Sequence, residues 1–403
     1  MNTKTLPVLS IATLAYLIQP LTAGEWSRWH GPNGDNIVEA AKNFNPDLNN
    51  WKIAWQEQVG LGYATVTTAD GRAYTMGHDG ESSETIVCFD AATGKKIWDY
   101  TYQGDLIPKM HVGGPNASVV IDGNNAYAIS KDGQVINLNA KNGKKNWSAK
   151  LIELLEIELP NWGFGSSAVV YKGDILISAG KTIALDKRTG EPSWISNVDR
   201  AAGYGTPVVF TKSGKDYIAA TDADGISILN ASNGKEIGRH DQKVQYNLNA
   251  TTATMLNDEG AIFFHNNTNS AVLDFDGKSL TEKWSDRKLK NPFTSSVKYG
   301  NSLYGLNGKQ GSSAILYSLN TSTGEHNWEV RDYGFASLIG VGETLLILTE
   351  DGNLITAPAN AKEYKEISRK KLIDKTCWTN PTYAGGKIYI RNDQGILICL
   401  TPA

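Results

Sequence analysis

An eleven-residue spacing recurs five times along this chain and confines it to a repeat architecture. The copies are CFDAATGKKIW ending at Trp98, NLNAKNGKKNW at Trp147, ALDKRTGEPSW at Trp194, ILNASNGKEIG at Gly238 and SLNTSTGEHNW at Trp328. The seventh position is glycine every time (Gly94, Gly143, Gly190, Gly234, Gly324), and the third is Asp or Asn (Asp90, Asn139, Asp186, Asn230, Asn320). Glycine supplies the positive φ of a tight turn, and an Asp or Asn side chain accepts from backbone N–H groups two residues on. Each motif therefore reads strand, turn, strand. The terminal tryptophan recurs at steps of 43, 49 and 47 from Trp55 to Trp194, then 90 to Trp284 and 44 to Trp328, the long step passing through Gly238. A period near 45 residues is that of a four-stranded propeller blade.

Glycine turns at Gly71, Gly123, Gly173, Gly214, Gly260, Gly300, Gly342 and Gly386 divide the rest of each unit into apolar runs, giving three strands before the motif turn and one after it. Eight first strands are expected: GYATVTT from Gly62, GPNASVV from Gly114, FGSSAVV from Phe164, YGTPVVF from Tyr204, LNATTAT from Leu248, FTSSVKY from Phe293, FASLIGV from Phe335 and WTNPTYA from Trp378. The eighth unit stops at Leu400 after three strands, while WKIAWQEQVG (51–60) stands unpaired at the other end with Trp55 in the repeat position. The predicted fold is all-β, an eight-bladed β-propeller over 51–403, its ring closed by 51–60 and preceded by an extension over 24–50.

Residues 1–23 carry Lys4, the apolar run LPVLSIATLAYLI and then small residues, which reads as a secretory signal and predicts an exported, periplasmic or secreted protein. The run is short for a membrane span, so no stable transmembrane segment is expected once the signal is removed. A net charge of −3 without long runs of like charge offers nucleic acid no footprint. A monomer is expected.

Of three cysteines, Cys88 and Cys399 fall on the first position of the repeat, where Ala184 and Ser318 stand elsewhere. Small residues there suit an overlying tryptophan ring, which predicts buried, unpaired thiols; a Cys377–Cys399 disulfide is the alternative. The six histidines lie in different units with no i, i+4 pair, so no zinc site is read. Asp79, Glu81 and Glu84 lack the alternation of a calcium loop and read as a solvated hairpin tip, so no metal is assigned. The segment LIELLEIELPNWG (151–163) alternates Leu, Ile and Glu at near-helical spacing and predicts a short amphipathic helix, acting as a cap, a channel cover or a docking site.

A binding surface is expected where the loops enter the first strands. Tyr63, His111, Trp162, Phe164, Tyr204, Tyr246, Asn249, Phe293, Phe335, Trp378 and Asn380 gather there as aromatics interleaved with amides. Such a rim suits a sugar ring, a peptide edge or a planar cofactor. Trp55, Trp98, Trp147, Trp194, Trp284 and Trp328 are instead assigned to packing between blades, and a tryptophan placed at Gly238 is expected to stabilise the fourth blade if its slot is empty.

The period, the eight units and the motif small-x-Asp-x-x-Thr-Gly-x-x-x-Trp resemble the tryptophan-docking repeats of the pyrroloquinoline-quinone-like (quinoprotein alcohol dehydrogenase-like) β-propellers. WSRWHGPNGD (26–35) resembles the opening of secreted, planctomycete-type members. The resemblance covers 26–400 and implies the fold; one fold carries many functions. One branch implies a dehydrogenase with pyrroloquinoline quinone and calcium in the channel, beneath a disulfide of adjacent cysteines. This chain has no adjacent cysteines and only about 47 residues per unit, which leaves no long insertions. The other branch resembles the outer-membrane assembly propeller lipoprotein, although no cysteine follows the apolar run here. The reading is an exported binding or assembly scaffold without cofactor or catalysis, its partner an envelope or extracellular protein or a carbohydrate. The alternative is a quinoprotein alcohol or sugar dehydrogenase.

Overall fold

Apolar runs broken by positive-φ glycines fold into eight antiparallel four-stranded blades in chain order, an eight-bladed β-propeller in which blade seven gains a fifth, parallel strand from the N-terminal extension. The structure, a computed structural model, describes residues 25–39, 41, 44–309, 314–374 and 376–403. The signal segment 1–23 lies outside the described residues. Blade one is Thr67–Ala69, Arg72–His78, Ser83–Asp90 and Lys96–Gln103, and the same meander repeats to blade eight, Thr382–Ala384, Lys387–Arg391 and Ile396–Pro402. Trp51–Gln58 supplies the fourth strand of blade eight, antiparallel to Ile396–Pro402, with Ile53 opposite Leu400 and Trp55 opposite Cys399.

Most first strands are shorter than the sequence predicts, although that of blade seven, Ala336–Val341, nearly fills its predicted run. Blade one begins its ladder at Thr67, not Gly62, and blade two at Val120, not Gly114. The missing ladder bonds run sideways to the next blade. The Ser118 N–H donates to Ser167 Oγ (2.9 Å), Ser167 N–H to Thr206 Oγ1 (3.0 Å), and Thr206 N–H to Thr252 Oγ1 (3.3 Å). A collar of hydroxyls thus satisfies backbone donors near the axis, where a conventional ladder would leave them unpaired.

Between blades the repeat tryptophans meet the repeat glycines. A Cβ on Gly94 would stand 2.7 Å from the Trp55 ring, on Gly143 2.7 Å from Trp98, on Gly190 2.6 Å from Trp147, on Gly234 2.5 Å from Trp194 and on Gly324 3.0 Å from Trp284. Glycine is needed there twice over, for its positive φ and for the ring lying on it. The indole N–H of Trp98 donates to the Ala140 carbonyl (2.9 Å), that of Trp147 to Lys187 (3.0 Å), and that of Trp328 to Asn360 (2.8 Å). On the other side Cys88, Ala184 and Ser318 are the cross-strand partners of Trp98, Trp194 and Trp328. Emptying such a site is expected to cost about 3–5 kcal/mol in Trp98→Ala, read as a lower urea midpoint at unchanged slope. An unmoved midpoint would show that the ring contributes nothing to the seam between blades.

The slot at Gly238 is already full. A Cβ there would meet the Leu280 backbone N at 3.2 Å and the Phe275 ring at 3.5 Å, and Phe275 is wholly buried against Phe210 and Tyr217. A tryptophan at this position therefore has no space, so the condition attached to the sequence expectation, an empty slot, is not met. All three cysteines are buried and free, with burial pushing each thiol up to about 12, so Cys377 and Cys399 are not paired.

The extension before Trp51 crosses the end of the channel away from the strand starts. The Thr68 N–H of blade one donates to the Trp26 carbonyl (2.9 Å) and the Trp26 N–H to Thr68 Oγ1 (3.0 Å), the Ser27 carbonyl accepts from the Ile121 N–H of blade two, and Ile37–Val38 pairs in parallel with Gly340–Val341 of blade seven. Leu151–Leu155 forms the expected short helix, but over the second and third blades: Leu151 and Leu155 are buried in their shared core, and Lys181 Nζ caps the Leu155 carbonyl (2.9 Å). It does not cover the channel.

Candidate functional site at the channel mouth

The strand starts converge on a cavity of about 410 Å3, within the range of roughly 300–1,000 Å3 typical of small-ligand pockets. Tyr63, His111, Trp162, Tyr204, Tyr246, Phe293 and Trp378 line it, each from the loop entering a blade. Trp378 stacks on Phe293 at 6.2 Å and on Tyr63 at 5.6 Å, Tyr63 meets His111 edge-on at 5.6 Å, and His111 meets Trp162 at 5.6 Å. The rings make one continuous arc. Glu350 fixes its centre by accepting from Trp378 Nε1 (3.0 Å), and the Tyr204 hydroxyl accepts from the Trp162 backbone N–H (3.3 Å).

Four predicted rim residues lie elsewhere. Phe164 is buried against Gly133 between blades two and three. Asn249 is buried, its amide donating to the Asp222 carbonyl (2.8 Å) and accepting from Asn266 (2.9 Å). Phe335 is buried behind the arc, 6.3 Å from Phe293 and 6.4 Å from Trp378. Asn380 donates to Asn36 Oδ1 of the N-terminal extension (3.3 Å). Phe164, Asn249 and Asn380 lie two or three residues beyond the rim residues Trp162, Tyr246 and Trp378, but the loop backbone turns their side chains into the protein.

The floor was missed altogether. Trp29, on the extension and outside any repeat, lines the cavity, stacks on His30 at 4.5 Å and donates from Nε1 to Thr252 Oγ1 (3.0 Å). Thr379 and Asn267 also line it without having been singled out. The one available signal was the Ser or Thr recurring in the strand starts, as in ASVV, SSAVV, GTPVV and ATTAT.

The lining is polar but neutral. Burial lowers the His111 imidazolium to about 4, aided by the Lys131 ammonium, so the ring is uncharged at neutral pH. Its Nδ1 accepts from the Gly113 N–H (3.0 Å), leaving the proton on Nε2. Burial holds the Tyr204 phenol at about 12, and Tyr63 higher still, so neither ionises. Lys309 is the cation among the described lining residues, and none of them is Asp or Glu.

Behind His111 lies a buried pair. Glu84 accepts from the Tyr102 hydroxyl (2.6 Å) and the Lys131 N–H (3.1 Å), and burial pushes its carboxyl up to about 7. Burial likewise lowers the Lys131 ammonium to about 7, its Nζ lacking a hydrogen-bond partner. A carboxyl whose folded pKa lies above the unfolded value of 4.5 contributes stability that is present below 4.5 and lost as pH rises through about 7. The stability of the native protein relative to Glu84→Gln should therefore fall across that window, by up to about 1.4 kcal/mol per pH unit. Parallel melting curves at several pH values check this, and a constant difference would contradict it.

Pyrroloquinoline quinone with calcium does not fit these residues. Calcium requires oxygen ligands rich in carboxylate, and the described lining has no carboxylate to hold it or to act as base. No group of three His, Cys, Asp or Glu side chains is placed for a metal among the described residues. Asp79 of the HDGESSE hairpin spends Oδ1 on the N–H groups of Glu81, Ser82 and Ser83, as a hairpin tip does.

Comparison with known proteins gives the lineage. The BamB of Burkholderia pseudomallei is 25% identical over 219 residues, covering 53% of this chain and 48% of that protein. A quinoprotein ethanol dehydrogenase of Pseudomonas aeruginosa is 24% identical over 185 residues, covering 43% and 28%. The chain thus spans half or less of these curated relatives. Among solved structures, BamB from Moraxella catarrhalis superposes with a TM-score of 0.61 at 15% identity, over 87% of this chain and 99% of that one. The quinohemoprotein alcohol dehydrogenase of Comamonas testosteroni reaches 0.69 at 14%, over 94% and 80%. The family described as outer membrane protein assembly factor BamB matches residues 45–208 and 178–403, and with its PQQ-like repeats closed into eight blades, the chain belongs to that family.

Proposed function

We propose that this protein is a non-catalytic binding scaffold of the cell envelope, exported by its N-terminal segment, and that the channel mouth is its binding surface. One observation carries the reading: seven aromatic or imidazole side chains from separate loops meet around one cavity whose described lining holds no carboxylate. Aromatic faces give contact area at little entropic cost, and such residues dominate binding hot spots. Calcium-assisted oxidation needs carboxylate ligands, and the described lining offers none. Kinship to a family named for outer membrane protein assembly favours a partner in the envelope over a soluble substrate.

Two measurements test the proposal. Protein immobilised on beads and incubated with solubilised envelope should retain a partner that Phe293→Ala/Trp378→Ala no longer retains. Purified protein given pyrroloquinoline quinone, calcium and an alcohol or aldose should reduce no dye. Substrate-dependent dye reduction would overturn the proposal and restore the dehydrogenase reading.

A further inference from the structure

On the side of blades one to three, the aromatic arc continues outward into an apolar lip. Two loops build it, 104–112 entering blade two and 151–162 entering blade three. Lys109 Nζ ties them by donating to Asn161 Oδ1 (2.6 Å), and the His111 ring lies 5.6 Å from that of Trp162. The second hairpin of blade one joins them, its Ser82 carbonyl accepting from the Gly104 N–H (3.0 Å). Met110 is 90% exposed and Leu159 41%, and Leu106, Ile107, Leu154 and Ile157 on the same two loops are only half-buried. Met110 also lines the cavity, so lip and arc are continuous. Apolar side chains scattered singly over a surface need no explanation, but six on two joined loops at a cavity mouth mark a contact surface.

Charge sorts the same sector. Asp79, Glu81, Asp105, Glu153, Glu156 and Glu158 stand exposed on the hairpin and the two loops, against the single ammonium of Lys109. Glu153 pairs with Lys150 (3.2 Å), while among the described residues no cation pairs with Glu81, Asp105, Glu156 or Glu158. Across the mouth the sign reverses, with Arg287, Lys288 and Lys290 on the loop entering blade six. A nucleic acid or an anionic membrane is repelled by such a lip. A purely polar cation leaves its apolar side chains in water, and a purely apolar segment gains nothing from its carboxylates. A polypeptide that sets apolar side chains among Lys or Arg meets both.

We infer that the lip docks a segment of a protein partner in which apolar anchors alternate with Lys or Arg, the anchors resting on Met110 and Leu159 and the cations meeting Glu156 and Glu158. The unbranched thioether chain of Met110 adapts to the shape of what it covers. The inference rests on the reading of the mouth as the binding surface and names the chemistry of its partner.

The probe is a fluorescein-labelled peptide of about ten residues alternating Leu and Lys, with Leu–Glu and Ser–Lys counterparts, read by anisotropy at about 0.15 M salt. The Leu–Lys peptide should bind saturably and about tenfold tighter than either counterpart. Glu156→Lys/Glu158→Lys and Met110→Ser/Leu159→Ser should each weaken it about tenfold at an unchanged unfolding midpoint. Glu191→Lys/Glu325→Lys makes the same charge change on exposed repeat turns at the end away from the strand starts and should leave binding in place. No saturable binding, equal binding of either counterpart, binding that one lip variant leaves unchanged, or an equal loss in the far-end variant overturns the inference. So does a dimer of the native protein that Glu156→Lys/Glu158→Lys dissolves, which would assign the lip to the basic loop of a second copy. If the peptide fails while envelope retention still depends on Phe293 and Trp378, the basic segment falls and the scaffold reading stands; if that dependence also fails, both fall.

Discussion

Removing residues 25–60 is expected to yield a protein that aggregates on purification, with no cooperative melting transition. The deletion takes away the strand Trp51–Gln58, whose ladder to Ile396–Pro402 closes the ring, and exposes the edge carrying Ile396, Ile398 and Leu400. An uncovered apolar edge strand is a template for pairing with other chains. The same cut removes Trp26 and Trp51, each at most 2% exposed in one core cluster with Ile388, Ile390 and Ile398. Light scattering and calorimetry read the outcome. A truncated protein that stays monomeric and melts as sharply as the intact one would mean that the ring closes without this strand.

Arg391→Met should cost about 3–5 kcal/mol, the size expected when one buried donor leaves several neutral acceptors unpaired at about 1–3 kcal/mol each. Arg391 lies on the second strand of blade eight, fully buried, yet its guanidinium reaches into blade one. It donates to the carbonyls of Gly60 (3.0 Å), Gly62 (3.0 Å), Ala64 (3.1 Å) and Met76 (2.9 Å) and to Thr75 Oγ1 (3.1 Å). Burial lowers its pKa to about 10, still protonated at neutral pH. Methionine fills the volume and abandons five acceptors in a dry seam. Arg391→Lys should recover only part of the loss, because an ammonium lacks the five-donor fork. Urea midpoints of the three proteins order the effect, and a Met variant as stable as the native protein would show the acceptors to be satisfied by water.

Legibility in the sequence followed repetition. The Trp–Gly pairs recur at fixed spacing because each blade repeats the same docking geometry, so both the number of blades and the unpaired strand at 51–60 could be counted. The rim was legible residue by residue only where a loop pointed its side chain inward, as for Trp378 and Tyr63. Phe164 and Asn249 lie on the loops that carry Trp162 and Tyr246 but turn into the protein, and no spacing within a single loop distinguishes the two directions. Trp29 and Arg391 escaped for another reason. Each makes contacts more than 200 residues away in sequence, to Thr252 and to Gly62, and no local pattern encodes such a pairing.

The two chain ends meet in blade eight, and this has a consequence for biosynthesis. A ribosome delivers Trp51–Gln58 first and its partner Ile396–Pro402 last, so this ladder carries a sequence separation of nearly the whole chain. Seven blades can stack as they emerge, each held by its neighbour, while the opening segment waits without a ladder partner. Closure is then the final and slowest contact, and loss of a handful of residues at the late end should be as damaging as loss of the early strand. A chain assembled in this order stays adhesive until its last strand arrives, so the interval before closure is the one in which a chaperone matters most.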